Sequence, residues 1–83
     1  MQVSIHDLAI EFSVRPQIIK AVANEFEVEV ENGHIDREEF VNMLDLKRHR
    51  DRTIKRVLSC VGQNAAAASR LTNMSDSAIR HYR

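Results

Sequence analysis

The chain has 83 residues, 43% apolar and 29% charged, which suits one small domain or two half-sized units sharing a core, with little interior left for an enzyme's pocket. Four aromatics (Phe12, Phe26, Phe40, Tyr82) predict a small aliphatic core; the single cysteine, Cys60, excludes a disulfide scaffold or Cys-rich zinc site and fits a reducing, cytoplasmic setting. The net charge is zero, no apolar run approaches the roughly 20 residues of a membrane span, and no basic-then-apolar signal segment follows Met1.

Taken in chain order, Ser4-Ile5-His6-Asp7 has the form of a capping box, and Ile5, Leu8, Ala9 and Phe12 follow at helical spacing. Ser13-Val14-Arg15-Pro16 breaks that run, and Pro16 suits the first turn of a second helix over 16–25, with Ile18, Ile19, Val22 and Phe26 on its apolar face. Strict alternation in Phe26-Glu27-Val28-Glu29-Val30-Glu31, then Asn32-Gly33, predicts a β-hairpin at about 27–36. In it Val28 and Val30 are expected inward and the glutamates outward, around a type I′ turn.

Asp36-Arg37-Glu38-Glu39 is a second capping box, opening a helix with Phe40, Met43 and Leu44 inward. With no Gly or Pro between Asp36 and Gly62, helix is expected through the basic run 47–52, with a break near Leu46, into Thr53–Val61. Gly62 reads as its C-cap and Asn64 as the N-cap of an alanine-rich helix, Ala65 to Leu71. After the turn Thr72-Asn73-Met74-Ser75, with Asn73 suited to the left-handed position, a last helix over 77–83 ends uncapped, as in a chain cut from a longer one. The expected fold is mainly α: a helix-turn-helix with a short β-hairpin (a wing) in residues 1–45, then a basic helix and a C-terminal helical hairpin in 46–83, as two units or one compact domain.

Charge divides the same way. Residues 1–46 hold ten acids against three bases, a net −7; residues 47–83 hold nine bases against two acids, a net +7. A basic half calls for a polyanion partner and an acidic half for something else, unless the halves neutralise each other within the chain or across a dimer.

The pattern Leu8-Ala9-x-x-Phe12-Ser13-Val14-x-x-x-x-Ile19-x-x-Val22, with the Asn32-Gly33 hairpin and the helix from Asp36, resembles the winged helix-turn-helix modules of phage excisionases and mercury-regulator-type activators. From Val3 to Phe40 it is equally similar to the N-terminal module of bacterial translation initiation factor 2. Ser13 stands where such motifs usually carry Gly. The resemblance implies that outward residues of the second helix enter the major groove: Arg15, Gln17, Lys20, Ala21 and Asn24. The acids around them (Glu11, Glu25 and the Glu27, Glu29, Glu31 row) oppose a phosphate backbone.

A second helix-turn-helix-like segment spans Asn64 to Arg83, in basic surroundings, although polar Thr72 falls where a large apolar residue is expected. Ser77, Arg80, His81 and Arg83 would face the groove, with Arg48, Arg52, Lys55 and Arg56 along the flank for phosphates. Scattered histidines and one cysteine give no metal-ligand spacing, and no glycine-rich phosphate loop occurs, so no cofactor, metal or catalytic residue is expected.

The function expected from the sequence is a small, non-enzymatic, sequence-specific DNA-binding transcription regulator, repressor-like, of bacterial, phage or plasmid origin. Its partners would be double-stranded DNA and a second copy of itself, with no membrane. The alternative is a protein-binding adaptor or anti-repressor that uses the acidic half. An RNA partner ranks below both, for want of aromatics to stack on bases.

Overall fold

The computed structural model describes residues 1–44 and 46–82, except for the side chains of Leu46, Lys47 and Arg48. Local capping chemistry sets the first half. Ser4 Oγ accepts from the Asp7 N–H (2.9 Å) and opens α1, Ile5–Phe12. Ser13 ends it in the left-handed conformation (φ 56°), with its N–H on the Ile10 carbonyl and the Val14 N–H on the Ala9 carbonyl. Pro16 then starts α2, Pro16–Glu25. Leu8 and Ala9 from α1 and Ile19, Val22 and Ala23 from α2 are buried where the helices meet.

Beside this pair lies a three-stranded antiparallel sheet: β1 (Gln2–Ser4), β2 (Val30–Glu31) and β3 (His34–Asp36), in the order β1-β3-β2. Asn32 and Gly33 both take positive φ, as the predicted type I′ turn requires. Val3 pairs with Ile35, whose other neighbour is Val30.

Three expectations for this region need correction. The strands are shorter than 27–36, because Glu27 sits in the left-handed region (φ 59°) and closes α2 instead of starting a strand. Val28 is buried, but Val30 is 38% exposed: it shares a face with its buried partner Ile35 but lies on β2, at the open edge of the sheet. The third strand, β1, was not expected; three residues are too few to show an alternating pattern.

Asp36 caps α3, Arg37–Met43, accepting from the Glu39 N–H at 3.0 Å. The next helix, α4 (Leu46–Cys60), confirms the restart at Leu46 and carries a further interruption at His49 (φ −127°, ψ 48°). Gly62 ends it with positive φ, and the Gln63 N–H reaches back to the Leu58 carbonyl (2.8 Å). Asn64 caps α5 (Ala65–Thr72) by accepting from the Ala66 and Ala67 N–H groups, and Ser75 caps α6 (Asp76–Arg80), a shorter last helix than the predicted 77–83. Asn73 is left-handed, as anticipated. Thr72 tolerates burial because its hydroxyl donates to the Ala68 carbonyl (2.7 Å).

The protein is therefore mainly helical, with one small sheet. Its apolar interior is continuous: Leu8, Ile19, Val22, Ile35 and Phe40 from the first half belong to the same cluster as Ile54, Leu58, Ala68 and Ile79 from the second. Among the described residues no helix is long and apolar enough to cross a membrane.

Candidate nucleic-acid interface

Which face of α2 is free is decided by α4. Arg56 meets Glu25, the Cys60 thiol lies 3.8 Å from the Ala21 carbonyl, and Val61 and Asn64 share a cleft with Gln17 and Ile18. The two helices thus run antiparallel, and α4 closes the flank of α2 that carries Ile18, Ala21 and Glu25. Ala21, assigned to the groove-facing set from sequence, is half-buried there. Exposed on α2 are Gln17, Lys20 and Asn24, at helical spacing i, i+3, i+7, with Arg15 at the amino end of this stripe and Glu25, tied to Arg56, at its carboxyl end.

Two ion pairs alter the charge around this stripe. Arg37 grips Glu11 through two bonds, Nε to Oε1 at 2.9 Å and Nη2 to Oε2 at 2.5 Å. Hydrogen bonding to Arg37 is the main reason the Glu11 carboxyl is held below its ordinary pKa. Arg56 donates from Nε to Glu25 Oε1 (3.0 Å) and from Nη2 to the Glu25 carbonyl (2.6 Å), and lies 4.2 Å over the Phe26 ring. Glu11 on α1 and Glu25 on α2 are therefore engaged, whereas Glu27, just past the end of α2, has no base paired with it among the described residues. Arg56, expected to hold a phosphate, spends its guanidinium within the fold.

The other candidates divide by helix. On α4, Arg52 and Lys55 are exposed; His49, Arg50, Asp51 and Arg52 line one shallow depression, and Arg52 and Arg56 line another with Phe26 and Met43. On α6, Ser77 and Arg80 are exposed, as is His81 just beyond it. This group rests on α5, which rests in turn on α4. The Arg48 side chain and Arg83 lie outside the described residues. Glu27, Glu29 and Glu31 point to solvent, and among the described residues no base pairs with them.

Burial, chiefly, pushes the Cys60 thiol pKa up, which suits a packing residue better than a nucleophile. Sequence reasoning missed Arg70, whose Nη1 donates to the Ser13 carbonyl at 3.2 Å. Fifty-seven residues separate the partners, and no local pattern links them.

The arrangement is that of a small mainly helical protein with one exposed polar helix stripe and a basic central helix. Comparison with protein-family models, curated proteins and solved structures finds no match to this chain.

Proposed function

We propose that this protein is a DNA-binding regulator of transcription, cytoplasmic, of the repressor-like kind that occupies an operator. The observation that carries the reading is the engagement of Glu11 by Arg37 and of Glu25 by Arg56. It offsets two of the charges that opposed a polyanion beside α2, each with an arginine of the fold, and leaves Arg15, Gln17, Lys20 and Asn24 exposed. Gln and Asn side chains match the adenine edge and Lys the guanine edge, so the stripe has the chemistry of a base reader.

Arg52 and Lys55 then serve the phosphate backbone, and Ser77, Arg80 and His81 form a second reading surface on α6. Small readers of this size gain affinity and site length by binding as two-fold dimers on paired half-sites. The acidic wing stays away from the duplex.

Fluorescence anisotropy on a labelled duplex at several salt concentrations tests this. With Arg52 and Lys55 on phosphates, a log–log salt slope of at least about −2 per protomer is expected, since each neutralised phosphate contributes about 0.9. Lys20→Ala should cost about 1–3 kcal/mol on the preferred site and relax its choice of base. Absence of duplex binding at low salt overturns the reading. That result would favour a protein-binding adaptor, a reading supported by the outward Glu27, Glu29 and Glu31 beside the exposed Val30.

A further inference from the structure

We infer that Arg70 and Arg15 together form a phosphate-binding site at the α1–α2 turn, so that α5 supplies a backbone contact for the reading stripe on α2. This inference rests on the DNA-binding reading and adds to it a residue and a site.

The geometry begins with Arg70, in the last turn of α5. One of its guanidinium nitrogens is fixed on the Ser13 carbonyl, which is turned out where the left-handed Ser13 ends α1. The side chain is otherwise exposed, and a guanidinium has five N–H donors, so most remain available. Arg15 follows Ser13 by two residues and is also exposed. The two arginines line a single cleft of about 230 Å³ at the α1–α2 turn and α5, together with Val14, Ile18, Asn64 and Ala67. Arg15, Asn64 and Ile18 also line a second cleft, of about 410 Å³, which reaches Gln17, the first residue of the stripe.

Charge decides what such a cleft accepts. Among the described residues no Asp or Glu lines either cleft, although residues 1–46 contain ten acids. Neither arginine has a carboxylate partner among the described residues, and Glu11, the acid nearest in sequence to this turn, is held by Arg37. Two forked cations with unused donors at one concave surface match the tetrahedral oxygens of a phosphate diester. The site stands at the amino end of the Gln17–Lys20–Asn24 stripe, where a phosphate flanking the bases read by α2 would lie. A contact there fixes register without carrying sequence information.

The test uses the full chain and labelled duplexes, one with the preferred site and one without, in a salt series. Arg70→Gln should weaken binding to both duplexes alike and lower the salt slope by about 0.9, the contribution of one phosphate. Arg15→Gln should do the same, and Arg70→Lys, which keeps the charge, should retain the slope. If the parent protein binds duplex and Arg70→Gln leaves slope and affinity unchanged, the site is overturned while the DNA reading stands. Lost affinity with an unchanged slope overturns it equally, because it makes Arg70 only a prop for the α1–α2 turn. Failure of the parent protein to bind any duplex removes the DNA reading and the site with it.

Discussion

Glu27 stands in a conformation that its side chain does not favour. Its φ of 59° lets its own N–H reach the Asn24 carbonyl (3.3 Å) and the Val28 N–H reach the Ala23 carbonyl (2.8 Å), so two end carbonyls of α2 are satisfied. Glycine is the usual occupant of such a position because a Cβ there is crowded against the backbone, at a cost of roughly 1–2 kcal/mol. Glu27→Gly should therefore raise stability, by up to about 1 kcal/mol after the greater freedom of glycine in the unfolded chain is counted. The converse holds at Gly33 (φ 74°), where an added Cβ would meet nothing within 4 Å and the backbone alone resists. Gly33→Val should lower stability by about 1–2 kcal/mol. Thermal melts of the two variants should shift in opposite directions, by about 4–8 °C per kcal/mol in a domain of this size. The same glutamate shows why the strand pattern misled: alternation of apolar and acidic residues looks identical whether Glu27 begins a strand or closes a helix. Burial of Phe26 and Val28 satisfies both readings.

Between elements, charged side chains act as ties, and these were not legible. The four side-chain caps and the Asn32-Gly33 turn depend on residues two or three apart, so the sequence displays them directly. Arg37 and Glu11 are 26 residues apart and Arg56 and Glu25 are 31 apart; nothing local selects those partners from the other acids. Both ties are partly exposed, which limits their strength. Arg56→Ala should cost about 1 kcal/mol, from the lost stacking on Phe26 and a screened ion pair. Arg56→Lys should recover less than half of that, since a point charge cannot reproduce the fork held by the Glu25 side chain and carbonyl. Chemical denaturation of the two variants measures the difference. The α1–α3 tie adds a pH dependence. Arg37 holds the folded Glu11 pKa below its ordinary value of 4.5, so the folded state binds fewer protons there than the unfolded state. Stability from this group is thus present above pH 4.5 and lost as pH falls through the lower folded value. Glu11→Gln should flatten the acid side of a melting-temperature profile over that range and leave its slope above pH 6 unchanged.

For the whole molecule, the opposed charges of the two halves suggest two bodies, and the apolar residues argue for one. A radius of gyration of 11.8 Å matches the roughly 12 Å of a single folded unit of this length. Leu58 on α4 is 1% exposed and belongs to the cluster that contains Ile19 and Val22 of α2. The hydropathy pattern could locate each apolar stripe but not which stripes face each other, because a helix periodicity carries no information about its partner. If the continuous core makes the chain one cooperative unit, a cavity anywhere in it should weaken all of it. Leu58→Ala should cost about 2–5 kcal/mol. In native-state hydrogen exchange its most protected amides in α1 and α2 should then lose the same free energy as those in α4 and α5, because global unfolding is their shared route to solvent. Loss confined to α4 and α5, with Leu8 and Ile19 amides unchanged, would instead mean that residues 1–45 unfold separately. In that case the ties made by Arg56 and Arg70 would join two units rather than brace one, and α5 could leave the α1–α2 turn without unfolding the helix pair beneath it.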